Sequence, residues 1–393
     1  MPGNGSLILP SVLQPATTEE LRDALHSAGV SRRTIELFGG NTKSLMAGPV
    51  SEAHVRISTA GLKRLLQYEP RDLTISVEAG MPFSELNALL ARNGQMIPLD
   101  GPYSDTATVG GMVAANISGA RRRLYGTARD LVIGMKFVTL DGKLVQSGGM
   151  VVKNVAGLDM GKLMIGSFGT LAAIASVNFK LTPRPAVGRT VLFAFDEFTA
   201  AVAARNAVIR GVLNPVAVDL LNPVLSAQLG LKNFTLAISF VGNEAVIERS
   251  VREASALGPA RALLPDEEQR FWSSLHAVTP RFLEKFRDGA VVRVSTTLTD
   301  CTDALAGVEG PGHAHAASGV VRGWFTRPDG AKRWMAEAAK RGWKTVVEFS
   351  CESARTGMTL WPEPGGDFAI MKEIKRMFDP ENLLNRGRLY GQL

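Results

Sequence analysis

The chain has 393 residues, 45% of them hydrophobic and 21% charged, which is ordinary globular composition and enough length for two or three domains. Its formal charge of +7 is scattered, with one cluster at Arg121 to Arg123; that distribution argues against a nucleic-acid partner and suits an anionic cofactor, an anionic substrate or an acidic protein. Two cysteines, Cys301 and Cys351, exclude a disulfide framework and a cysteine-held iron–sulfur cluster, and no apolar run reaches the roughly 20 residues that span a bilayer.

With so few cysteines, and with no signal-peptide pattern in residues 1–11, the expected compartment is a reducing cytoplasm. Thr17 and Glu20 have capping-box spacing, and Leu21, Ala24, Leu25 and Ala28 form one apolar stripe, so a helix is expected over 17–28. A short strand over 34–38 then runs into Gly39-Gly40. A second β/α pass follows, with a strand over 73–77 and a helix over 83–92 that stops at Asn93-Gly94. The stretches 131–139 and 143–145 flank Asp141-Gly142, the signal of a type I′ hairpin. A strand over 172–181 ends at Pro183 and Pro185, which mark the domain boundary. Beyond it, strands over 191–195 and 234–240 alternate with helices, the pattern of a second α+β domain.

Three glycine-rich turns stand beside strands. In Gly39-Gly40-Asn41-Thr42-Lys43-Ser44 the backbone can approach a ligand closely, successive amides can cradle a pyrophosphate, and Lys43 with two hydroxyls can complete an anion site. A plain turn fits this loop alone equally well, and neither GxxxxGK[ST] nor GxGxxG spacing is present. The run 106–119, TATVGGMVAANISG, is too polar and glycine-rich for an ordinary core helix; it suits a backbone wrapped on a flat ring system, or a tightly packed turn. The third turn lies within LMIGSFGTL, ahead of the strand over 172–181.

The ordered set GGNTKS, DLTISVEAGMPFSELN, ATVGGMVAANISG, YGTARDLVIGMKFVTLDG, VVKNVAGLDMGKLMIGSFGTLAAI and FDPENLLNRGRL resembles the flavin subunits of the FAD-linked D-2-hydroxy-acid oxidases, among the PCMH/vanillyl-alcohol-oxidase-type flavoproteins. The resemblance implies an α+β fold: a PCMH-type FAD-binding domain of two α+β lobes over 1–185, a smaller α+β cap over 186–345, and a tail over 346–393 that returns to the FAD domain. It gives Gly39, Gly40, Asn41, Thr42 and Ser44 the pyrophosphate loop and places Thr108, Gly110 and Gly111 along the pyrophosphate and flavin. Gly119, Tyr125, Gly126 and Asp130 line the next stretch; Lys153, Asn154 and Asp159 match a KN…GxD element near the flavin. Gly166 and Gly169 match its following turn, and Asn385 the family's LNPGR tail, where Arg386 replaces the usual proline. The implied function is the FAD subunit of a glycolate or (R)-lactate dehydrogenase complex, with a second flavin subunit and an iron–sulfur subunit as partners and any membrane contact made through them. Rival readings are a self-sufficient FAD oxidase of alcohols or sugar lactones, and a subunit whose flavin only relays electrons or supports assembly.

Members that bind flavin covalently carry His in the pyrophosphate loop or Cys in the second glycine run; Asn41, and the absence of cysteine before residue 301, imply non-covalent FAD. Members that oxidise the hydroxy acid themselves carry a metal-binding His motif and a Glu-His pair, where this chain has His313, His315 and a solitary Glu348. No third metal ligand follows from spacing, a solvent-exposed turn is expected at His313 to His315, and no metal is assigned. Arg121 to Arg123 read as a solvated edge. Arg293 and Arg322 stand in expected strands, either as sheet-surface arginines or as the cations that pair with a substrate carboxylate. His276, His313 and His315 are the cap's only histidines, and none has an orienting partner in sequence, so reduction of the lone chain by substrate is expected to be slow or absent.

Overall fold

The computed structural model describes residues 12–151, 158–355 and 357–393. The first helix, Thr18–Val30, starts at the expected cap: the Thr17 hydroxyl accepts from the Glu20 N–H, and the Glu20 carboxylate accepts from the Ala16 N–H. Leu21, Leu25 and Ala28 bury with Ile35, Ile57, Val138 and Leu140 in one apolar cluster. Beside it Val12–Leu13, Val55–Ser58 and Ile35–Phe38 pair in parallel, with Val55–Ser58 central.

The second lobe is a five-stranded antiparallel sheet in the order Leu65–Glu69, Thr74–Glu78, Ala173–Lys180, Val132–Val138, Leu144–Gly148. Thr74–Glu78 is buried along its whole length, which is why it shows no alternation in sequence. The hairpin at Asp141-Gly142 is not type I′. Only Gly142 of the pair has a positive φ, +79°, and the Thr139 N–H bonds to the Lys143 carbonyl across a longer loop. Leu140 causes the difference, because it turns inward into the cluster under the first helix, which a two-residue turn does not allow.

The cap is an eight-stranded antiparallel sheet in the order Ala260–Ala262, Val187–Phe195, Phe234–Gly242, Ala217–Leu221, Gly312–His315, Val320–Phe325, Ala290–Ser295, Lys344–Ser350. Its last strand runs past residue 345 to Ser350. One face packs under the helices Phe198–Arg210, Glu244–Ala254, Cys301–Ala306 and Pro328–Lys340 through Val218, Leu220, Val292, Val294, Ala314 and Val321. The period of two in a strand sends their neighbours Asp219, Arg293, His313, His315 and Arg322 to the opposite face, where Val291, Trp324 and Phe349 share a core with the FAD lobes.

Residues from 368 onward pack back on the first lobe. Lys375, buried in Phe368–Phe378, donates to the Thr170 and Leu384 carbonyls and pairs with Asp379 at 2.6 Å. The Asn385 side chain accepts from the Leu37 N–H and donates to the Leu37 and Phe168 carbonyls, so it extends the sheet edge as a strand would.

Candidate functional site

The strand Ile35–Phe38 ends against the helix Val109–Ala115, whose cap is Thr108, with the Thr108 hydroxyl accepting from the Gly111 N–H. The run 106–119 is therefore helical in its middle, not an extended wrap as its composition suggested. Its glycines serve packing: a Cβ on Gly110 would lie 2.7 Å from the Ala79 Cβ, and one on Gly39 would lie 2.2 Å from the Thr108 hydroxyl. Asn41 turns the loop at φ +55°, in the left-handed region that Asn tolerates.

Gly39, Gly40, Asn41, Thr42, Lys43, Thr108, Gly110, Gly111, Gly169, Asn385 and Arg388 line one cavity. Lys43 is 8% exposed and makes no ion pair among the described residues, and burial lowers its pKa to about 8. Arg388 donates to the carbonyls of Lys43, Ser44 and Gly48, and burial brings its pKa down to about 10. The carboxylate lining this cavity, Glu36, is already paired with Arg56 at 2.5 Å. A glycine-walled cavity with a buried lysine, a half-buried arginine and no unpaired carboxylate among the described residues fits the pyrophosphate of FAD, and Lys43, Arg388 and the loop amides would hold it there.

A second cavity opens between the FAD lobes and the cap. Gly101, Pro102, Gly119 and Ala120 form one wall, and Asp219, His276, His313, His315, Arg322 and Trp324 form the other. The segment that borders both cavities is the same glycine run. Backbone bonds also join them: the Ala47 N–H donates to the Glu348 carbonyl and the Ser350 N–H to that of Leu45, just after the glycine turn.

The second cavity holds a buried charged network. The Asp219 Oδ1 lies 2.9 Å from the His315 Nδ1, and the His315 Nε2 accepts from Arg322 at 2.7 Å. Arg322 grips Glu348 with two bonds of 2.6 and 3.2 Å, and Arg293 lies 3.6 Å from the same carboxylate. Glu348 is the extra residue of a β-bulge, skipped in a register that pairs Val291 with Phe349 and Val292 with Val347; the bulge aims it at the arginines. The Asp219 Oδ2 and His313 Nε2 are 3.1 Å apart yet out of line for a hydrogen bond, and each is buried with no hydrogen-bond partner among the described residues. Burial raises the Asp219 pKa, but the neighbouring His315 and His313, with the hydrogen bond to His315, more than offset this and hold it well below the usual carboxylate range. Burial also keeps His313 neutral, with its pKa lowered to about 4 against the pull of Asp219.

Several expectations are corrected here. His313 and His315 lie in a buried strand, not a solvent-exposed turn, because Pro311-Gly312 feeds the strand and the turn comes after it. A third group, Asp219, does face them, supplied by the adjacent strand in register with His315. The three ligand atoms lie within 4.8 Å of one another, but the Arg322 guanidinium already supplies the cation at His315. Arg121 is exposed, as a solvated edge would be, but Arg123 reaches across to the Asn214 side chain and Pro215 carbonyl of the cap. Arg122 is half-buried, its pKa lowered by desolvation and then by Arg293 and Arg322 nearby.

Of the remaining sequence-derived residues, Gly119 borders the second cavity. Ser44, Tyr125, Gly126, Asp130, Asp159 and Gly166 line neither cavity. Asp130 accepts from the Thr127 N–H and hydroxyl as a helix cap, and Asp159 stands exposed near Ser147. Lys153 and Asn154 lie outside the described residues. Arg388 and Asp219 are the functional candidates that the sequence did not reveal.

A glycine-walled cavity on two α+β lobes, beside a cap that carries acid–base groups, is the arrangement of an FAD-binding oxidoreductase. Residues 10–148 match the FAD binding domain family and residues 363–389 the C-terminal domain of FAD linked oxidases. The chain is 31% identical to the mitochondrial D-lactate dehydrogenase [cytochrome] of Arabidopsis thaliana over 419 residues, 96% of this chain and 73% of that protein. It is 27% identical to glycolate oxidase subunit GlcE of Escherichia coli over 387 residues, 96% of this chain and 98% of that one. Crystalline p-cresol methylhydroxylase superposes with a TM-score of 0.77 at 14% identity, covering 97% of this chain and 88% of the other. The chain belongs to the FAD-linked oxidases: it is an FAD-dependent oxidoreductase of PCMH-type α+β fold, as its motifs implied.

Proposed function

We propose that the chain is the FAD subunit of a glycolate or (R)-lactate dehydrogenase complex, which oxidises a 2-hydroxy acid to the 2-oxo acid. The observation that carries this reading is the pairing, in one cavity beside the glycine run, of an arginine, Arg322, suited to a carboxylate with an imidazole and carboxylate suited to a hydroxyl. Three of the five N–H groups of Arg322 are taken by Glu348 and His315, so two remain for the substrate carboxylate, and Arg293 shares the Glu348 charge behind it. FAD, held non-covalently past Asn41, supplies the hydride acceptor. The similarity to a protein named as a subunit of glycolate oxidase supports membership of a complex; in this reading a second flavin subunit and an iron–sulfur subunit carry the electrons away. No helix among the described residues is long and apolar enough to cross a membrane, and cytoplasmic placement with membrane contact through partners goes with this reading.

The test is purification of the protein from its own cells. It should bring down an iron–sulfur protein and a second flavoprotein, and acid precipitation should leave a yellow supernatant. A lone chain whose flavin stays in the acid pellet would contradict both the complex and the non-covalent site.

A further inference from the structure

We infer that His313, held beside Asp219, is the proton acceptor of the oxidation, and that the substrate hydroxyl is received at the His313 Nε2. The inference rests on the proposed hydroxy-acid oxidation. Buried polar atoms without partners are rare in folded proteins, and two that face one cavity mark a place shaped for a third group. A hydroxyl suits them, because it can donate to the imidazole nitrogen; once the proton has moved, the new N–H⁺ faces a carboxylate oxygen 3.1 Å away.

The other two histidines are less suited. His315 has both ring nitrogens engaged, one with Asp219 and one with Arg322. His276 stands 4.0 Å from Asp100, whose oxygens accept from the Gly119 and Arg121 N–H groups. The charges agree with a role for His313. Arg293 and Arg322 balance Glu348 and Asp219 while the imidazoles are neutral, so a bound substrate carboxylate favours a positive charge on His313. Half-buried Arg122 adds to the cationic side.

The step balances as follows: the carbinol C–H bond breaks and its electron pair leaves as hydride for the flavin, the O–H proton passes to the His313 Nε2, and the C=O bond forms. Base and cation both belong to this chain. The flavin-loaded chain alone therefore carries out the reductive half-reaction, contrary to the expectation from sequence, and needs partners only to pass electrons onward.

The experiment is anaerobic stopped-flow reduction of the flavin-loaded chain by glycolate and D-lactate, with flavin content and substrate Kd, from perturbation of the flavin spectrum, as readouts independent of rate. Wild type should reduce at ~1–1000 per second. His313→Gln should be slower by about 100-fold or more at saturating substrate, with Kd and flavin content nearly unchanged. The wild-type rate should decline on the acid side and the variant's should not. If His313→Gln does not fold, Asp219→Asn carries the test: removing the carboxylate should slow the step and move the acid limb to lower pH. A His313→Gln rate within about tenfold of wild type, an Asp219→Asn profile identical to wild type, or a stoichiometric metal in the wild-type protein each overturns the assignment. If no 2-hydroxy acid reduces wild type at all, the underlying function is wrong.

Discussion

Lys43 is a buried ammonium without an anionic partner among the described residues, and its pKa near 8 gives the cofactor site a pH dependence. A lysine whose pKa is lowered in the folded apoprotein loses its proton above that value, and an anion bound beside it draws the proton back. FAD affinity should therefore be highest below about pH 8 and fall as pH rises through and beyond it. Fluorescence titration of apoprotein with FAD at about pH 7 and about pH 9.5 measures this, and Lys43→Met should weaken binding by about tenfold at the lower pH and flatten the profile. Equal FAD affinity at both pH values in wild type would remove Lys43 from the pyrophosphate site. The sequence made Lys43 visible as part of a glycine loop. It did not show Arg388, which lies 345 residues away and meets the loop only because the tail folds back. Asp219 was hidden for the same reason: it stands 96 residues before His315, and only the cross-strand register joins them.

Elements were legible where local chemistry decides them. The Thr17 cap, the apolar stripe after it and the Asn93-Gly94 stop all act within a few residues, and the structure keeps each. The run 106–119 was misread because glycine disfavours a helix in isolation, whereas here tight packing of Val109–Ala115 on Ala79 outweighs propensity. The two glycines of this helix do different work. A side chain at Gly110 collides with Ala79, while one at Gly111 meets only the Thr108 hydroxyl, at 3.0 Å, and then projects into the cavity. Gly111→Val should thus lose FAD while keeping its circular dichroism and nearly all of its stability. Gly110→Val should lower stability by about 1–3 kcal/mol through overpacking. Thermal melts and flavin content of the two variants check the contrast, and a Gly111→Val protein with full flavin would displace the cofactor from this helix. The bulge that turns Glu348 toward the arginines has no sequence mark at all, since one extra residue in a strand looks like any other.

At the scale of the whole molecule, the FAD lobes, cap and tail act on one another through few but buried contacts. The Asn385 side chain makes three bonds, to both backbone groups of Leu37 and to the Phe168 carbonyl, all beside the cofactor cavity. Asn385→Ala should cost about 1–3 kcal/mol, because it leaves buried backbone groups unpaired, and should weaken FAD binding as well. Urea melts with and without added FAD separate the two effects; an unchanged midpoint in both would mean the tail does not brace the site. The cap's inner face brings Asp219, His313 and Arg322 to the border of the glycine run, and from this comes the central claim that one chain binds FAD and holds the groups that oxidise a 2-hydroxy acid. The measurement that bears on it most directly is an anaerobic titration of the purified, flavin-loaded chain with glycolate and D-lactate, followed at the oxidised-flavin band near ~450 nm. Stoichiometric bleaching by at least one of them without any partner protein is the predicted result, and a flavin that stays oxidised at millimolar concentrations of both would contradict the account.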